Sequence, residues 1–258
     1  MLFIGQQHIM NELSVKLPEI YSTRSGANIL LRAPSGHGKT KMAISICNYL
    51  DGINYQFSLG DSIEFDTDKW VHFYDEIHLC KTPEILYPHM DSGEFVIILA
   101  TNEFSELPEA LMNRCTNFIF ADYTDRELFS IIRQSTAFNF DDEGLKYIVE
   151  SCARNPRIIL RMISRLLMYE RRFGKITELQ TLINVFTEYF GIVDGLDVQA
   201  RKYLEVLVRA GGRASLDTLA SLIHVDKSTI RYLIEPILIY KGLVKINSRG
   251  RTIINEEL

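Results

Sequence analysis

Ala33-Pro34-Ser35-Gly36-His37-Gly38-Lys39-Thr40 is the stretch on which the fold turns. It follows the pattern GxxxxGK[ST] except at its first position, where Ala33 replaces glycine. Before it, Asn28-Ile29-Leu30-Leu31-Arg32 reads as a buried strand; after it, Thr40 to Leu50 reads as a helix. In a strand–loop–helix setting the N–H groups of a tight loop cradle phosphates, and the helix N-terminus adds a favourable dipole. Gly36 and Gly38 permit the backbone angles, and Ala33 is small enough for its place. Lys39 is expected to reach the terminal phosphates and Thr40 to hold magnesium, with Pro34, Ser35 and His37 completing the cradle. The plainer reading is a chance glycine-rich turn, against which the flanking strand and helix argue.

Further along, Val71-His72-Phe73-Tyr74-Asp75-Glu76 is an apolar strand ending in two acids. Asp75 would complete the magnesium site and Glu76 would polarise the attacking water. A strand ending in two acids is common by chance; downstream of such a loop it gains meaning. Leu99-Ala100-Thr101-Asn102 ends the next apolar strand, and Asn102 is placed to sense the terminal phosphate or to hold the water. Its alternative is to cap the segment that follows. Ligands of parallel sheets collect at the carboxyl ends of strands, which favours the sensor role.

Outward from this centre the first 120 or so residues alternate short apolar runs with helical stretches, including Tyr55 to Ser58, Phe95 to Ala100 and Phe118 to Phe120 as strands. That alternation predicts an α/β core with a mainly parallel sheet covered on both faces. From Asp125 to about Gly191 the pattern is helical only: a helix opening at Asp125, then Asp141 to Cys152, Pro156 to Arg172, and Thr177 to Phe190. Gly191 to Leu196 reads as a hinge. Beyond it come helices over Gln199–Ala210, Ser215–Ile223 and Lys227–Lys241, then two apolar runs, Leu243–Ile246 and Arg251–Ile254, joined by Asn247-Ser248-Arg249-Gly250. Three helices and a hairpin predict a winged helix. The expected domains are 1–122, 123–191 and 192–258.

Composition sets outer bounds. Apolar residues at 47% and charged residues at 24% are ordinary for a globular domain. No run approaches the roughly 18–20 apolar residues needed to span a bilayer. The start, MLFIGQQHIMNE, lacks the features of a secretion signal. Cys47, Cys80, Cys115 and Cys152 are spread without a CxxC pair, which predicts reduced thiols in a cytoplasmic protein and no zinc site. The net charge of −5 excludes a surface coated in cationic groups. The charge is uneven, however: Arg201 to Leu258 holds ten Lys or Arg against six Asp or Glu, and Ser151 to Arg172 holds six arginines against Glu170. Basic faces on an acidic body suit local phosphate contacts, or are simply solvated helix faces. His37, His72 and His78 are too far apart for a metal set, and Trp70 reads as core.

The order and spacing of several stretches resemble the RuvB family of AAA+ proteins: Phe3-Ile4-Gly5-Gln6, the phosphate loop, Asp75-Glu76-Ile77-His78, Leu86-Tyr87-Pro88 with Met90, and Asn155-Pro156-Arg157-Ile158. At the C-terminal end Gly195-Leu196-Asp197, Leu216-Asp217-Thr218-Leu219-Ala220, Glu235-Pro236 and Arg249-Gly250-Arg251 extend the likeness. The resemblance implies an AAA+ core, a helical lid and a DNA-contacting winged helix. It also implies a hexameric ring that hydrolyses ATP with magnesium between subunits. It implies, further, that Arg114 in Leu111-Met112-Asn113-Arg114-Cys115 is an arginine finger toward a neighbour's ATP, where a merely structural ion pair is the alternative. Arg157 would be a second sensor from the lid, and Ile4, Tyr123 and Pro156 would surround adenine. Between Met90 and Phe95 stand only Asp91-Ser92-Gly93-Glu94, where the family carries a long hairpin that engages its partner RuvA. The chain also starts almost at Phe3-Ile4-Gly5-Gln6, without the family's N-terminal extension.

On the winged helix, Lys227, Arg231, Lys245, Arg249 and Arg251 are the expected contacts to DNA phosphates, which set position without reading sequence. Winged helices also serve as protein-binding modules. The expected function is an ATP-driven motor on duplex or branched DNA. The rivals are a loader of a replicative helicase or clamp, and a nucleotide-gated DNA adaptor or filament.

Overall fold

The computed structural model describes residues 3–61, 63–138, 140–247 and 250–254. Two compact units divide the chain, Met1–Glu127 and Leu128–Leu258.

In the first unit the elements run α1 (Gln7–Thr23), β1 (Ala27–Arg32), α2 (Lys39–Asp51), β2 (Gln56–Leu59), β3 (Val71–Asp75), α3 (Tyr87–Ser92), β4 (Val96–Thr101), α4 (Glu109–Met112) and β5 (Thr116–Ile119). The five strands form one sheet in the order β2-β3-β4-β1-β5, every pair parallel. Every residue of β3 and β4 is buried. Such strands read in sequence as unbroken apolar runs because both faces are covered. Alternate residues feed two cores. Ile29, Leu31, Phe73, Val96 and Ile98 join Ile9, Leu13 and Leu17 of α1 and Met42 and Ile46 of α2. Leu30, Tyr74, Ile77, Ile97 and Leu99 pack on the opposite face with Leu86, Met90 and Leu111. Each fully buried Leu or Ile contributes about 1.5–3 kcal/mol.

The sequence reading passed over α1. Its buried residues Ile9, Leu13, Leu17 and Ile20 have helical spacing, but Pro18 lies inside the helix and works against such a reading. At the other end of the sheet, α3 passes into β4 through Gly93 at φ 70°. The Gly93 carbonyl accepts the Gly26 N–H at 2.7 Å, and a Cβ on Gly26 would stand 2.5 Å from that oxygen. This short turn falls in residues 91–94, the stretch too short for the hairpin of the resembled family.

α5 (Asp125–Ser135) spans the boundary between the units. In the second unit α6 (Asp142–Ser151), α7 (Pro156–Phe173) and α8 (Leu179–Asn184) follow. The predicted helix over Thr177–Phe190 is not regular: α8 passes into a π-helical turn at Val185–Tyr189. Next come α9 (Val198–Arg209), β6 (Arg213–Ala214), α10 (Leu216–Ile223), α11 (Lys227–Thr229), a π turn over Ile230–Ile234, α12 (Glu235–Tyr240), β7 (Val244–Asn247) and β8 (Gly250–Ile253). The expected hairpin is a three-stranded antiparallel sheet, β6-β8-β7, because Arg213 and Ala214 pair with Thr252 and Arg251. The π turn has a local cause in Pro236, which has no N–H to give to the preceding turn and crowds its carbonyl. Asp141, Asn155, Asp197, Ser215 and Asp226 each cap a helix by accepting a backbone N–H with the side chain.

Candidate nucleotide site and winged-helix surface

Parallel pairing sets Arg32 opposite Thr101 and Tyr74 opposite Leu99. The loop after β1, the acids ending β3 and Asn102 after β4 therefore emerge at one edge of the sheet, the carboxyl edge, where such sheets offer a crevice. Gly36 and Gly38 lie at φ 84° and 94°, in the left-handed region that glycine enters at little cost. At Gly38 a Cβ would also stand 3.1 Å from the Phe3 ring. Lys39 opens α2 and is buried; its Nζ donates to the carbonyls of Ala33 at 2.8 Å and Pro34 at 3.2 Å. Thr40 Oγ1 donates to Asp75 Oδ2 at 2.7 Å, so the loop and the acid of β3 are in direct contact.

Asp75 Oδ1 accepts the Glu76 N–H at 3.0 Å. Glu76 takes φ 51° and ψ 46°, unusual for a residue with a side chain. Gly60 fixes that bend. Its N–H donates to the Asp75 carbonyl at 2.8 Å, and a Cβ there would stand 2.2 Å from the Glu76 carbonyl oxygen. The Glu76 carboxylate lies 3.5 Å from His78 Nδ1, which is itself 3.1 Å from Thr101 Oγ1. Asn102 Oδ1 is buried and has no hydrogen-bond partner among the described residues. A buried acceptor left unsatisfied is costly and suits a site that receives a polar ligand. Together with the glycine loop and the Thr40–Asp75 pair, it fits a magnesium-bound nucleoside triphosphate.

Tyr123 is buried beside the loop and donates its hydroxyl to the His37 carbonyl at 2.8 Å. Burial raises that phenol to about 12 and lowers the His37 imidazole. A Cβ on Gly5 would meet the Tyr123 ring at 2.8 Å, so half-buried Ile4 precedes a segment pressed against it. Gln6 ties this segment down by both accepting from and donating to the Ala121 backbone at 2.8 Å. Pro34 is exposed and Ser35 half-buried in the loop.

Arg114 lies elsewhere. It precedes β5 at the amino edge of the sheet, and its carbonyl accepts from Asn28 Nδ2 at 3.1 Å. Its guanidinium donates to both carboxylate oxygens of Asp91, at 2.9 and 3.1 Å, and to the Ala110 carbonyl at 2.8 Å. It also covers the Tyr87 ring at 4.4 Å. Pro156 and Arg157 belong to the second unit, at the start of α7, where Asn155 Oδ1 accepts the Arg157 N–H at 3.0 Å.

The expected wing residues divide. Arg231 and Lys245 are exposed and make no ion pair among the described residues. Lys227 is paired with Asp217, holding that carboxyl below its usual range. Arg249 lies outside the described residues. Arg251 departs from the expectation of a phosphate contact, since it points inward and donates from Nε to Glu235 Oε1 at 2.7 Å. Glu235 is 2% exposed and also accepts from the Tyr203 hydroxyl at 3.1 Å. The physical reason is that a carboxylate inside the winged-helix core requires a paired cation.

Gly60, Thr101 and the link through His78 were not legible beforehand. Gly60 is one glycine after a short strand, and its partner, the Glu76 carbonyl, is distant in sequence. His78 belongs to no metal set and reads either as structural or as a support for neighbouring site residues, which leaves its contacts open.

Residues 193–256 match the RuvB C-terminal winged helix domain. Across 98% of the chain the sequence is 28% identical to the Holliday junction branch migration complex subunit RuvB of Ureaplasma parvum serovar 3, covering 92% of that protein. It is 26% identical to the same subunit of Mycoplasma genitalium, covering 98% of this chain and 93% of that one. The Thermotoga maritima RuvB Holliday junction branch migration motor superposes with a TM-score of 0.83 at 25% identity, over 98% of this chain and 93% of that chain. Domain III of the Thermotoga maritima replication initiation protein DnaA shares the fold alone, with a TM-score of 0.56 at 15% identity over 73% of this chain and 94% of that one. Along almost its whole length the chain is similar in sequence and in three-dimensional arrangement to RuvB, and its last part matches the RuvB C-terminal winged helix domain.

Proposed function

We propose that this protein is a ring-forming ATPase that moves or remodels duplex or branched DNA, in the manner of a branch-migration motor. The observation that carries this reading is the Thr40–Asp75 contact of 2.7 Å at the carboxyl edge of the sheet, beside a buried Lys39 and a strained Glu76. Lys39 and the loop N–H groups would bind the triphosphate, with Thr40 and Asp75 holding magnesium. That ion supplies charge neutralisation on the phosphates when bound. Glu76 would orient and polarise the attacking water, and Asn102 would offer its orphaned oxygen to that water.

The place of Arg114 supports a role toward a neighbour. Its backbone lies beside Asn28, and from there to Ala33 a strand rises about 16 Å at roughly 3.3 Å per residue. Arg114 thus stands at the wrong edge for its own chain's loop. Lent to an adjacent subunit, an arginine of this kind is worth on the order of 10³ to 10⁵ in rate. Arg157 would act from the lid as a second sensor, with Ile4, Tyr123 and Pro156 around the base. Arg231, Lys245 and Arg249 would hold DNA phosphates.

A loader of a helicase or clamp ring is the second reading. The short Gly93 turn between α3 and β4 favours it, since there is no hairpin for the usual partner. ATPase rates with no DNA, duplex, forked and four-way DNA, followed by junction displacement, separate the two. A motor shows DNA-stimulated turnover and migrates a four-way junction. Turnover indifferent to every DNA, with no junction movement, would contradict that reading.

A further inference from the structure

We propose that His78 positions the Glu76 carboxylate and that Thr101 in turn fixes His78, so that three side chains join the ends of β3 and β4. The proposal rests on the reading of Glu76 as the group that polarises water. The Glu76 backbone has little freedom: it sits at φ 51° with Gly60 packed against its carbonyl, at a distance no Cβ tolerates. The remaining freedom is in the side chain. Beside that side chain stands His78, whose Nδ1 lies 3.5 Å from Glu76 Oε2.

His78 is well placed to impose a direction. Its side chain is 8% exposed, against 34% for Glu76, so the imidazole is held by the protein while the carboxylate reaches the crevice. Nδ1 also lies 3.1 Å from Thr101 Oγ1, and Thr101 is fully buried at the last position of β4. Thr101 Oγ1 already accepts the Glu103 N–H at 3.0 Å. The carboxylate 3.5 Å from Nδ1 favours a proton on that nitrogen, and with the proton there the Thr101 hydroxyl accepts from it. Nδ1 thus stands between Thr101 Oγ1 at 3.1 Å and the Glu76 carboxylate at 3.5 Å, so a displacement at the tip of β4, next to Asn102, is carried to Glu76. A base misplaced by about 1 Å costs on the order of 10²-fold in rate.

The test compares His78→Leu, which removes the donor, with His78→Asn, whose amide offers an N–H near the Nδ1 position. Both are made in the full chain, with Glu76→Gln as reference. His78→Leu is expected to lower kcat by about 10- to 100-fold while leaving ATP affinity within about twofold. His78→Asn should recover most of the rate, and His78→Leu should add no further loss to Glu76→Gln. A wild-type kcat in His78→Leu, or an equal deficit in His78→Asn, overturns the proposal. Should His78→Leu fail to bind ATP, Thr101→Val decides, because it leaves the imidazole in place. A reduced kcat at normal ATP affinity supports the link, and an unchanged kcat refutes it. Failure of the underlying reading looks different: Glu76→Gln itself would then turn over normally.

Discussion

Arg251 and Glu235 show how a charge that reads as surface chemistry becomes part of a core. With Glu235 2% exposed and its oxygen shared between Arg251 at 2.7 Å and Tyr203 at 3.1 Å, removal of one member leaves a buried charge unmatched. Breaking such a pair typically costs about 3–5 kcal/mol. Arg251→Met should therefore lower the melting temperature of the winged helix markedly. Below that temperature DNA affinity should stay near wild type. Equal stability with weakened DNA binding would restore Arg251 to the phosphate contacts. The meeting of Thr40 with Asp75 was legible because the loop and the acid each follow an apolar strand of the same sheet. The inward turn of Arg251 was not, since its acid lies on a different element and the pair forms only once α12 and β8 pack. Gly60 was hidden for the same reason: its necessity comes from the Glu76 carbonyl 2.2 Å from where a Cβ would be.

Elements whose apolar period matched their burial were read well. β3 and β4 are buried at every position and appeared as continuous apolar runs. α1 was passed over although Ile9, Leu13 and Leu17 carry the helical spacing, because Pro18 obscures it. β6 is two residues long and has no pattern of its own; its pairing to β8 makes it a strand. Capping gives α11 a pH-dependent element. Asp226 accepts the Thr229 N–H at 2.8 Å and is also bonded by the Ser228 and Thr229 hydroxyls, which hold its carboxyl below the usual carboxylate range. A folded-state carboxyl depressed in this way stabilises above its ordinary titration range, and the gain shrinks below that range and is lost as pH falls through the lowered folded-state value. Thermal melts of wild type and Asp226→Ala should differ at pH 7, and the gap should narrow progressively once pH falls below the ordinary carboxylate range. A gap that persists or widens in acid contradicts that assignment. Along the same segment, Arg231→Ala should weaken DNA binding and reduce the salt dependence by about one log–log unit, as expected for a lost phosphate contact. An unchanged salt slope would move Arg231 away from the backbone contacts.

At the scale of the whole molecule, the proposed function would divide catalysis between the two edges of one sheet. The Lys39–Asp75–Glu76 group lies at the carboxyl edge, and Arg114, bound by Asp91, lies at the amino edge. On that reading a single chain would present half of each of two sites, to be completed by adjacent copies. Glu76→Gln and Arg114→Ala are each expected to bind ATP and hydrolyse it poorly, for different reasons: the first would lack the group proposed to polarise water, the second the cation proposed to be lent. Mixing the two tests this division most directly. Where an Arg114→Ala subunit, with Glu76 intact, sits next to a Glu76→Gln subunit, with Arg114 intact, one complete site is assembled. ATPase activity in the mixture is expected to rise well above that of either variant alone. A mixture that co-assembles and binds ATP yet stays as inactive as its components would contradict a shared site.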